Sequence, residues 1–140
     1  MGQREMTSAT LSPMSASLLV AAGGAVGAVL RYQLGRAIAQ VSAPGTAFPW
    51  GTLTANVLGS LAMGLLVRWL ARNGSENEGM RLLLGVGLLG GFTTFSAFSL
   101  ELMELIERGF LGLAFSYAGV SVFAGLAALW LGLIVMRGAA

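Results

Sequence analysis

Gly90-Gly91-Phe92-Thr93-Thr94-Phe95-Ser96-Ala97-Phe98-Ser99 lies in the middle of an apolar run, residues 80–106, that is long enough to cross a bilayer. Four hydroxyls and two glycines within it place polar groups and a weakened helix where lipid can satisfy neither. Such a segment must face protein, an ion or a water-filled path. The run is also longer than a straight transmembrane helix needs at 1.5 Å per residue. A broken or tilted helix is therefore expected, with the break at Gly90 to Thr94, because Gly85, Gly87, Gly90 and Gly91 lead into the threonine pair. Phe92, Phe95 and Phe98 recur at helical spacing and put a stripe of aromatic edges along one face. The combination predicts an ion site beside a permeation path.

The composition of the whole chain agrees with a membrane setting. Of its 140 residues 56% are hydrophobic and only 10% charged, whereas about a quarter of a soluble domain is charged. Twenty-one glycines allow close backbone approach, which in lipid replaces the hydrophobic effect as the source of helix association. Cysteine and histidine are absent, which removes thiolate nucleophiles and the usual transition-metal ligands, so no enzyme activity is expected. Eight arginines and six glutamates give a net charge of +2, without a basic cluster that would suit a nucleic acid.

Working outward, residues 1–17 are polar and read as a short mobile tail, and residues 18–140 as a four-helix membrane domain with spans at about 18–39, 50–70, 80–106 and 111–136. Met6 stands where an N-myristoylation signal needs Ser or Thr, and the apolar run from Leu18 is too long for a cleaved signal peptide. In the first span Gly23 and Gly27 form a small-residue groove that Arg31 continues. Arg31 and Arg36 read either as headgroup anchors or as part of a pore vestibule. The second span opens with Trp50; Gly51, Ala55 and Gly59 form a second packing face, and Thr52, Asn56 and Ser60 a polar stripe beside it. Asn56 is the costliest of the three to leave unpaired. An interhelical tie is the usual reading of one such Asn, and the three-residue stripe favours a site.

Glu101, Glu104 and Glu107, three apart, read as a solvated or arginine-paired helix end with Arg108 nearby. In the fourth span Gly112, Gly119, Gly125 and Gly132 recur near heptad spacing and predict a packed seam, and Tyr117 and Ser121 place two hydroxyls on one face. Four spans put both termini on one side. Arg4, Arg68, Arg72, Arg81 and Arg137 then face Arg31, Arg36 and Arg108 across the membrane, a bias weak enough for insertion in both orientations and an antiparallel dimer.

Proton-coupled transport needs a membrane-embedded acid or histidine, and the first two spans hold none. A passive pore fits better, with a proton-coupled small exporter and a non-transporting structural subunit as the alternatives. The Asn56 amide, the hydroxyls and the positive rims of the phenylalanine rings could meet an anion, while carbonyls freed by a break could meet a cation.

Four motifs together, GGAVGAVLRY (23–32), GTLTANVLG (51–59), GGFTTFSAFS (90–99) and the Tyr117 with Ser121 pair, resemble the Fluc/CrcB family of fluoride channels over all four spans. That resemblance implies passive export of cytoplasmic fluoride through an antiparallel, dual-topology homodimer with two pores, in a bacterial-type cytoplasmic (inner) membrane. It further implies a structural sodium ion at the dimer interface, held by the backbone carbonyls of Gly90 and Thr93 from both subunits. Asn56 would meet fluoride, Phe95 and Phe98 would form an aromatic box, and Thr94, Ser96, Tyr117 and Ser121 would belong to a polar track, with Arg31 near the vestibule.

Overall fold

The computed structural model describes residues 11–43, 45–73 and 78–136, and among these the chain is all helical, with no strand. Its helices are α1 (Pro13–Val41), α2 (Trp50–Arg72), α3 (residues 78–92), α4 (Phe95–Glu107) and α5 (Leu111–Val135). With α3 and α4 forming one span, four segments of 29, 23, 30 and 25 residues are long and apolar enough to cross a membrane. Arg4, Pro44, Glu76 and Arg137 lie outside the described residues.

Helix α1 begins at Pro13, inside the segment read from sequence as tail. Ser12 caps it, its Oγ accepting from Ser15 N at 3.2 Å, and Pro13 occupies the first helical turn, where its missing N–H costs nothing. Between α4 and α5, α4 stops in a Schellman turn. Phe110 N–H donates to Leu105 O and Gly109 N–H to Ile106 O, both at 2.9 Å, around Gly109 at φ 78°, a conformation that only glycine adopts without strain.

Two glycine contacts set the packing. Helix α1 lies against α3, where a Cβ on Gly91 would stand 2.5 Å from Gly24 O and one on Gly23 or Gly27 would overlap the carbonyls of Leu83 or Leu88. Helix α2 lies against α5, where a Cβ on Gly132 would stand 2.5 Å from Leu61 O. Backbone thus touches backbone at both crossings, the arrangement that van der Waals attraction rewards in lipid. The four-glycine seam expected along α5 is only half realised within the chain. Gly132 and Gly125 meet α2, whereas no neighbour comes within 4 Å of a Cβ on Gly112 or Gly119.

A small core of Leu53, Leu105, Ala114 and Tyr117, with Phe48, Phe98 and Leu102 against it, joins α2, α4 and α5 at one end. Elsewhere large apolar side chains such as Val26, Leu58, Met103, Phe123 and Trp130 are exposed, as they would be toward hydrocarbon.

Candidate functional site

The third span changes character twice. Arg81–Leu89 winds as a π-helix, with Gly90 N–H reaching back to Gly85 O, and Gly90–Phe92 returns to α geometry. Thr93 (φ −86°, ψ 159°) and Thr94 (φ −153°, ψ 126°) are then extended before α4 starts. Two extended residues, Thr93 and Thr94, thus form the joint that separates α3 from α4. Gly90 is helical at φ −64°, ψ −38°, and Gly91 serves the close approach to Gly24. β-Branched threonine favours extended backbone, and its hydroxyl can close a helix end. Both do so here. Thr93 Oγ1 donates to Leu89 O at 2.9 Å, and Thr94 Oγ1 caps α4 by accepting from Ala97 N at 3.2 Å.

In an unbroken helix the carbonyls of Gly90, Gly91 and Thr93 would accept from the N–H groups of Thr94, Phe95 and Ala97. Thr94 N–H goes instead to Asn56 Oδ1 at 2.8 Å, and Ala97 N–H to Thr94 Oγ1. Asn56 Nδ2 donates in return to Thr94 O at 3.0 Å. Asn56 thus stands in for a backbone partner on both polar groups of Thr94. The Gly91 carbonyl accepts from Arg31 Nε at 3.2 Å. Gly90 and Thr93 are thus carbonyls whose helical donors go to other acceptors, and Phe92 O likewise loses its helical donor, Ser96 N–H, across the joint.

A second polar cluster sits one helical turn along α2. Glu101 accepts from Thr52 Oγ1 at 2.6 Å through one carboxylate oxygen and from Tyr117 Oη at 2.7 Å through the other. Glu101 is half-buried, and Tyr117 is wholly buried. This corrects the reading of Glu101 as a solvated or arginine-paired helix end. Its side chain turns inward because position 101 shares a face of α4 with Phe98 and Leu105, which pack on Tyr117 and its neighbours, whereas Glu104 and Glu107 are exposed. Arg108 lies over the Phe110 ring at 5.1 Å, and among the described residues no ion pair joins it to these glutamates.

Two cavities flank these clusters. One of about 720 Å³ is lined by Arg31, Tyr32, Arg36, Thr52 and Glu101. The other, an open groove of about 400 Å³, is lined by Asn56, Ser60, Met63, Thr93, Thr94 and Phe95 and carries no charged side chain. The Thr52, Asn56 and Ser60 stripe runs from the first into the second. Phe95 is 78% exposed beside the groove, its ring 5.6 Å from that of Phe98, which in turn lies 5.1 Å from Tyr117.

Of the residues singled out from sequence, Asn56, Thr93, Thr94 and Phe95 meet in the groove. Ser96 is at its edge, its Oγ 3.2 Å from Thr94 Oγ1. Phe98 and Tyr117 lie in the core, Ser121 Oγ is buried without a hydrogen-bond partner, and Gly90 is exposed on α3. Arg31 lines the larger cavity and its Nε reaches the joint at Gly91 O. Sequence reasoning missed Glu101, and the signal for it was its place three residues after Phe98 on the aromatic face. Among the described residues there is no group of three or more His, Cys, Asp or Glu that could hold a metal ion.

Comparison with known proteins adds an independent line. A family model described as CrcB-like protein, Camphor Resistance (CrcB), matches residues 18–133. A protein of Novosphingobium aromaticivorans named fluoride-specific ion channel FluC is 57% identical over 127 residues, covering 91% of this chain and 100% of its own length. Proteins of the same name from Caulobacter vibrioides and Phenylobacterium zucineum are 51% and 54% identical over 125 residues, each covering 89% of this chain and 97% of its own.

Proposed function

This chain belongs to the CrcB family, and from that premise we propose that it is a passive, fluoride-selective channel of the bacterial inner membrane, crossing it several times and catalysing no reaction. The observation that carries the reading is the uncharged groove at Asn56, Thr94 and Phe95, set beyond a wider cavity that Arg31 and Arg36 line. Arginines in the wide part attract anions from solution. The groove offers only neutral donors and ring rims, which replace water around a small anion yet bind weakly enough to release it. One N–H of the Asn56 amide is engaged by Thr94 O, and the other is assigned to fluoride. Phe95 and Phe98 supply the aromatic edges. Thr94, Ser96, Tyr117 and Ser121 form the polar track, and the buried, unpartnered Ser121 Oγ supports a passing ligand there.

The working unit is an antiparallel homodimer with two pores. The open groove, the 78% exposed Phe95 and the unneighboured Gly112 and Gly119 all leave surface for a second copy. A sodium ion at the interface of the two copies is held by the Gly90 and Thr93 carbonyls of each. The diverted donors at those two positions support this assignment. The ion supplies a fixed positive charge that ties the two joints together.

Efflux of fluoride from liposomes with and without a protonophore tests the mechanism. Equal rates are expected when a potassium ionophore balances charge in both. Efflux that requires a proton gradient would replace the channel with an exporter.

A further inference from the structure

Arg31 sits four residues after Gly27 on the face of α1 that touches α3, and the glycine contacts at Gly23, Gly24 and Gly27 leave that face no room to slide. From this fixed platform its Nε donates to Gly91 O at 3.2 Å. Of the four carbonyls, Gly90, Gly91, Phe92 and Thr93, whose helical donors the joint removes or redirects, Gly91 is thereby the one that a side chain of α1 engages. We propose that Arg31 is a positioning residue for the cation site: its Nε–H holds the Gly91 carbonyl toward α1, which fixes the α3 terminus so that the Gly90 and Thr93 carbonyls are the ones presented to the ion. This rests on the sodium site proposed above. It assigns to the hydrogen bond, not to the guanidinium charge, the part that Arg31 plays there.

The distinction can be tested because two side chains copy the Arg31 stem. Glutamine places its Nε2–H₂ where arginine has Nε–H, keeping the donor and losing the charge. Methionine places a methyl group at the same point and loses both. The probe is sodium itself, titrated against N-methylglucamine at constant ionic strength, with thermal unfolding of the detergent-solubilised full chain as the readout and fluoride flux measured separately. Wild type is expected to gain stability saturably with sodium. Arg31→Gln should show the same sodium midpoint or a lower one, since removing a nearby positive charge cannot weaken cation binding. Arg31→Met should need at least tenfold more sodium.

An Arg31→Met midpoint equal to wild type overturns the proposal while leaving the sodium site standing. So does an Arg31→Gln midpoint raised as far as that of Arg31→Met, and this second outcome is readable even if the methionine variant does not fold. Wild type that responds to no concentration of sodium overturns the cation site and this role together. A loss of fluoride flux in Arg31→Gln with an unchanged sodium midpoint supports the proposal and adds a separate electrostatic part for Arg31 in the larger cavity.

Discussion

Replacing Asn56 with alanine removes both hydrogen bonds that hold Thr94, at 2.8 and 3.0 Å, and leaves an N–H and a carbonyl of extended backbone without partners. A buried unsatisfied polar group costs about 1–3 kcal/mol, and interhelical hydrogen bonds measured in membranes average about 0.6 kcal/mol each. The groove is open, so the lower half of that range applies, and a loss of about 2 kcal/mol for the pair is expected. Unfolding by SDS in mixed micelles, followed by the fluorescence of Trp50, Trp69 and Trp130, measures it. Fluoride efflux from the same preparation should fall by more than tenfold, because the amide is lost and Thr94 N–H is free to return to the Gly90 carbonyl. Asn56→Asp separates the two bonds. It keeps an acceptor for Thr94 N–H but turns a carboxylate oxygen toward Thr94 O, so it should be no more stable than Asn56→Ala and should conduct no better. An alanine variant that unfolds at the wild-type SDS fraction and conducts fluoride at the wild-type rate would refute the clamp and the site together.

Phe95→Ala removes a ring that lines the groove and should slow fluoride efflux at least tenfold; efflux at the wild-type rate in the liposome assay would take Phe95 out of the path. Tyr117→Phe keeps the buried ring and removes only the 2.7 Å bond to Glu101, so SDS unfolding should show a loss of about 1 kcal/mol. Gly132→Ala sets a methyl 2.5 Å from Leu61 O and 2.9 Å from Leu65 N, backbone atoms that cannot swing aside, and should destabilise by about 1–3 kcal/mol in the same titration.

Much of the fold could be read from the chain because hydrocarbon imposes so few solutions. Apolar runs of membrane-crossing length, separated in the sequence by the stretches 44–49 and 72–79, leave little besides four spanning helices. What was misjudged depended on which way a side chain faces. Glu101, Glu104 and Glu107 look alike at a spacing of three, and only the packing of Phe98 and Leu105 on the α2 and α5 end turns Glu101 inward. Within the expected range Gly90 to Thr94 the spacing did not tell which residue does what: Gly91 spends its missing Cβ on contact with α1, and the extended threonines turn their hydroxyls to Leu89 O and Ala97 N. Ser12 and Pro13 carried a helix-start signal that polarity alone concealed. The seam along α5 was legible as spacing, but not how much of it α2 would cover.

Purified protein in liposomes loaded with equal fluoride and chloride, diluted into solution free of both and given a potassium ionophore, should release fluoride at once, as read by a fluoride electrode, while a chloride electrode records retention. Release of both ions at similar rates, or of neither from a demonstrably folded protein, would contradict the assignment of the Asn56, Thr94 and Phe95 groove as a selective fluoride path.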